Sequence, residues 1–122
     1  MQIIKNKNFQ ITRREGRIFE VDCGKKSSLS LKELEEIKQE LMHVGADNTS
    51  LILLTYSPDQ ATETMNHFDA EFFSVRALAM HNPDQLVQRM YKLLMKISKS
   101  NVPVGLFTEK EPAFHWLKSF AA

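Results

Sequence analysis

The chain has 122 residues, 43% hydrophobic and 25% charged, the balance of one globular domain with room for a sizeable core. Lys and Arg total 16 against 15 Asp and Glu; a net charge of +1 offers no field to gather nucleic acid or an anionic membrane. Cys23 is the single cysteine, which excludes an internal disulfide and a cysteine-based metal cluster.

The start, Met1 to Lys5, carries no apolar run of signal-peptide length, and no window approaches a membrane span. The expected setting is cytoplasmic. Residues 9–23 read as an antiparallel hairpin. Phe9, Ile11 and Arg13 alternate on one arm, and Ile18, Phe19, Val21 and Cys23 lie on the other, with the turn at Glu15-Gly16. A first helix follows. Ser30 and Glu33 make a capping box, Leu29 and Leu34 a hydrophobic staple, and the end falls near His43 to Gly45, where glycine accepts a left-handed conformation.

Residues 51–56, Leu-Ile-Leu-Leu-Thr-Tyr, run unbroken, as in a central strand covered on both faces. Ser57 then caps a short helix with Pro58 at its first position. Phe73 to Met80 reads as the next strand, interrupted by Arg76, and Asn82-Pro83 repeats the same helix start. That third helix extends to about Ser98 on a stripe of Leu86, Met90, Leu93, Leu94 and Ile97. Val102, Val104 and Leu106 alternate through a short strand with Pro103 at an edge or start. The last helix has two possible starts: Thr108 as cap with Pro112 at the fourth position, or a later one with Pro112 at the first. The later start is preferred.

Strand and helix alternate, so the expected fold is a single α/β domain over residues 1–122. It has a mixed sheet of about five strands, four helices and an N-terminal antiparallel hairpin.

Ser57, Asn82 and Thr108 each stand where a strand gives way to a helix. Free N–H groups there favour an anion, or a phosphoryl group on Ser57 itself. The plainer account is that they cap helices. His81 joins the group by position, and Arg76 is a ligand or partner candidate unless it simply pairs with Glu71 or Asp69. No glycine-rich phosphate loop is present. His43, His67, His81 and His115 form no metal-ligand spacing, so neither a metal nor a cofactor is expected. A triad of Ser57, His81 and Asp59 or Asp84 lacks the glycines of a nucleophile turn, and no catalytic residue is assigned. Phe68, Phe72 and Phe73 cluster near Asp69 and Glu71, and any left exposed would serve as interface anchors.

The tail is the most distinctive stretch. A long helix leads to Asn101-Val102-Pro103-Val104-Gly105-Leu106-Phe107-Thr108, then Glu111-Pro112-Ala113-Phe114-His115-Trp116-Leu117. With this ending the chain resembles the small bacterial SpoIIAA-like proteins, a STAS-type α/β family related in fold to anti-sigma factor antagonists. The resemblance runs from Phe9 to Phe120. It implies a non-catalytic, cytoplasmic regulatory module, often dimeric, that meets a regulatory protein partner; charge and hydropathy add the expectation of no nucleic acid and no membrane insertion. In the antagonists a serine after a central strand is phosphorylated within an Asp-Ser-Ser-Gly-like segment. Tyr56-Ser57-Pro58-Asp59 is the matching place, and of that motif it keeps only Ser57. The alternative expectation is a binding protein for a small apolar or anionic ligand.

Overall fold

Six short strands form one sheet in the order of the chain. They are β1 (Gln2–Lys5), β2 (Gln10–Arg13), β3 (Ile18–Asp22), β4 (Leu51–Thr55), β5 (Ala77–His81) and β6 (Val104–Phe107). The computed structural model describes residues 2–5, 9–23, 31–56, 75–85, 89 and 102–120. The first three strands pair antiparallel and the last four run parallel. Because β3 to β6 are aligned in register, Asp22, Thr55, His81 and Phe107 form one transverse row at their C-terminal ends.

These findings correct the expectation of about five strands and four helices. The sheet has a sixth strand, β1, in the opening segment, to which the sequence pattern assigns no element. Pairing with β2 and partial burial of Ile4 against the core hold it there. Among the described residues there are two helices, α1 (Leu31–His43) and α2 (Lys110–Lys118). The helices expected to start at Pro58 and Pro83 fall chiefly outside the described residues, as do Ser57 and the cluster of Phe68, Phe72 and Phe73. β5 begins at Ala77, so Arg76 stands just before the strand and is exposed.

Local chemistry explains the ends of these elements. Gly16 takes φ 62° in the hairpin turn, where Arg14 donates its N–H to the Ile18 carbonyl at 2.8 Å. At the end of α1, Gly45 has φ 97°, its N–H reaches the Met42 carbonyl, and Ala46 N–H reaches that of Leu41. This is the Schellman arrangement that satisfies the last helix carbonyls. Glu109 precedes α2 in extended conformation without a side-chain cap, which puts Pro112 at the third helical position rather than the first or fourth. The N–H that proline lacks is there one of the helix's unpaired donors, so no helical bond is forfeited.

The sheet's two faces differ. On one, Phe19, Val21, Cys23, Ile52, Leu54, Tyr56, Leu78 and Met80 are buried and meet Leu34, Ile37 and Leu41 of α1. On the other, Ile18, Leu51, Leu53, Ala77 and Ala79 meet Ala113 and Leu117 of α2. No helix among the described residues is long and apolar enough to cross a membrane.

Candidate functional site

The α2 face turns polar toward the C-terminal ends of the strands. Glu20 and Asp22 of β3, Thr55 of β4 and His81 of β5 all point to this side, alternating with apolar residues that point to the other. The hairpin continues the polarity, because Thr12 lies opposite Glu20 and Gln10 opposite Asp22. α2 covers β4 to β6, and its first residue, Lys110, hangs over this polar zone.

Glu20 is the centre of the zone. Its side chain is only 5% exposed, and an isolated carboxylate so placed would be strongly disfavoured. Two cations resolve this. Arg14 donates from Nε to Oε1 at 2.9 Å and makes a second bond to the same oxygen from its outer nitrogen, while Lys110 Nζ donates to Oε2 at 2.7 Å. Burial is the largest influence on Glu20 and opposes ionisation. The hydrogen bonds and charges of Lys110 and Arg14 together outweigh it and hold the carboxyl below its usual range. Arg14 and Lys110 remain about half exposed, so each shows water a part of its cationic head. Arg14 also lies over the Phe114 ring, 5.7 Å from its centroid.

His81 completes the arrangement. Its Nδ1 lies 3.2 Å from Thr55 Oγ1, across the β4–β5 pair. Partial burial, then the nearby Lys110 charge, push its pKa down; a hydrogen bond to the Thr108 backbone and the charges of Glu20 and Asp22 oppose them without prevailing. The balance favours the neutral ring. Asn82, fully buried, donates from Nδ2 to the Tyr56 carbonyl at 3.1 Å and accepts from the Asp84 N–H at 2.8 Å. Its amide ties the β4 and β5 ends together and fixes the turn beyond.

His81, Asn82 and Thr108 therefore share one edge of the sheet, and Ser57 lies outside the described residues. Arg76 does not join them. It is at the opposite end of β5, about 16 Å away at strand rise, where its N–H bonds the Ser50 carbonyl at 2.9 Å. There the guanidinium lies over Phe120, 5.8 Å from the ring centroid. Phe120 stacks edge-on to Trp116 at 4.8 Å, and Trp116 meets Phe107 at 5.7 Å. All three rings are half-buried, so an aromatic strip runs along α2 and β6 to Arg76. An open cleft of about 430 Å³ lies on the other flank of α2, lined by Arg14, Glu15, Ile18, Phe114, His115 and Lys118.

Glu20, Lys110 and Thr55 carry the zone's polar chemistry, and none is marked by a motif. The one available signal was a glutamate at the centre of the apolar strand Ile-Phe-Glu-Val. Cys23 is buried on the α1 face; burial, then Asp22 and Glu33, push its thiol far up, which disfavours the reactive thiolate. Among the described residues no group of His, Cys, Asp and Glu has the numbers to hold a metal ion.

A family model described as a domain of unknown function, DUF7793, matches residues 11–121, and the chain belongs to that family. Neither the curated proteins nor the solved structures give a match.

Proposed function

We propose that this DUF7793 domain is a non-catalytic, cytoplasmic interaction module that works by recognition rather than by chemistry. The aromatic strip carries the reading. A half-exposed Trp116 between Phe107 and Phe120, closed off by Arg76, presents the side-chain types that dominate protein interfaces. The strand-end groups add support: Glu20, His81 and Asn82 already engage neighbours within the chain. The kinship with SpoIIAA-like regulators stays a proposal resting on the tail sequence, and with it a phosphoryl switch at Ser57.

Trp116 is the chain's single tryptophan, so its fluorescence reports on the strip directly. Co-purification from the native host should recover a protein that shifts Trp116 emission to the blue when added back. Arg76→Glu and Phe120→Ser should both abolish that shift while circular dichroism stays unchanged. A partner that binds both variants as tightly as the wild type refutes the reading. Mass spectrometry of the same material tests Ser57: phosphate there under some growth condition supports the switch, and its absence under every condition removes it.

A second reading has its own observation. Arg14 and Lys110 share one carboxylate, so their cluster with Glu20 has a net charge of +1, and both cations stay half exposed near the uncapped start of α2. A small anion would find two donors there. Titration with inorganic phosphate, followed by nuclear magnetic resonance at His81 and Lys110, should saturate if this is so. A linear response refutes it.

A further inference from the structure

The sheet has two edges, and they are built differently. β1 carries an exposed lysine, Lys5, and its pairing with β2 slips between Gln2 and Ile4. A charge and a bulge are two devices by which natural sheets stop another strand from adding to an edge. β6 has neither. From Val102 to Phe107 the sequence is Val-Pro-Val-Gly-Leu-Phe, without a charge, and each of these residues is half exposed. The β5–β6 register is unbroken from Val104 to Phe107.

We propose that two copies of this chain join through β6 as an antiparallel, two-fold symmetric pair centred on Gly105. The inference goes beyond the aromatic-strip reading and does not depend on it. The hydrogen-bond pattern fixes the register. Leu78 N–H bonds the Pro103 carbonyl and Asn82 N–H bonds that of Phe107, so residues 103, 105 and 107 face β5. Val104 and Leu106 therefore turn their N–H and C=O groups to the outer side, where no strand among the described residues meets them. In an antiparallel pair the outward residues must exchange both bonds with outward residues of the second copy. Val104 opposite Leu106 of the second copy, and the reverse, satisfies this with four bonds and puts Gly105 on the axis.

The side chains agree with that register. Val104 and Leu106 both lie partly buried at the rim of the α1-side core, so each would meet the other type across the axis as an apolar cross-strand pair. Gly105 has no side chain to separate the copies at the closely spaced central pair. The space its Cβ would take is filled from within the chain: a Cβ there would lie 2.6 Å from Phe107 Cε2 and 3.2 Å from Trp116 Cδ2. Identical patches meeting about a two-fold axis close the assembly at two copies.

Sedimentation equilibrium of the full chain over roughly 1 to 100 μM should show a dimer that dissociates on dilution. Val104→Pro removes an outward N–H, two per dimer, and leaves the β5 ladder intact. It should raise the dissociation constant at least about tenfold. Should that variant fail to fold, a disulfide pair tests the register independently. Val104→Cys mixed with Leu106→Cys should form a cross-linked heterodimer under mild oxidation, and each variant alone should not. A monomer throughout the concentration range overturns the proposal. So does a dimer that forms no mixed cross-link and, where the proline variant folds, is insensitive to it. Loss of the host partner in the Arg76→Glu experiment with the dimer retained would separate the two surfaces.

Discussion

On the α1 side of the sheet, apolarity runs the full length of the strands. On the α2 side of β3 to β5 it gives out before the strand ends, where Glu20, Asp22, Thr55 and His81 take over. The same five-residue strands supply both faces, so the difference lies in what covers them. α1 closes its face with Leu34, Ile37 and Leu41, whereas α2 spans β4 to β6 and ends its cover at Lys110. A polar side chain at a strand end is thus tolerated where the covering helix stops, provided it finds partners. That boundary is where this fold keeps its interacting charge.

Adjacent residues of β4 give the largest expected contrast. Leu54 is fully buried under α1, and Leu54→Ala should cost about 3 kcal/mol of stability in urea unfolding. Thr55 is half-buried on the other face, and Thr55→Val should cost under about 1 kcal/mol. Equal losses would erase the distinction between the faces.

Gly105→Ala comes next. The new methyl forces Phe107 and Trp116 off the strand, and overpacking of this kind costs about 1–3 kcal/mol. Trp116 fluorescence should shift with it. A neutral outcome would mean that the strip yields freely.

Glu20→Gln leaves Arg14 and Lys110 without their counter-charge. Because both reach water, the loss at pH 7 should be modest, about 1–2 kcal/mol by urea midpoint. A loss above about 4 kcal/mol would mark a pair sealed from solvent.

The pH dependence is the smallest effect and the most specific. Glu20 is held below its ordinary value near 4.5, so its contribution is complete above that pH and is lost as pH falls through the lower folded value. His81 is likewise held below 6.5; its neutral form favours the fold, and stability begins to fall as pH drops below 6.5. Urea midpoints against pH should therefore lose part of their acid limb in Glu20→Gln, Asp47 keeping its own share, and the fall that begins below pH 6.5 should weaken in His81→Asn. Unchanged profiles in both would place the titrating groups elsewhere.

Much of the architecture was legible because its signals are local. Glu15-Gly16 announces a turn that needs one positive φ, Gly45 announces a helix end that needs another, and Leu51 to Thr55 is too uniformly apolar for a surface strand. Asn82 behaves as its position beside Pro83 indicates, bonding the backbone two residues on. β1 was not legible, since four residues with a lysine at the end carry too little pattern to assign. The helix start around Pro112 was also missed, because three of the first helical positions tolerate proline and no side-chain cap chooses among them.

The sequence by itself determined the period and order of the elements, since hydrophobic spacing and turn chemistry act between residues a few places apart. It determined too that Glu20 interrupts an apolar strand. Only the tertiary structure decided what answers that charge: Lys110 is 90 positions away, and a buried carboxylate is stable only when the fold brings a cation within hydrogen-bond reach. The same holds for the edges of the sheet. Which strand ends up last in the order, with its outward N–H and C=O groups at the rim, is settled by how the elements stack and not by the residues of that strand.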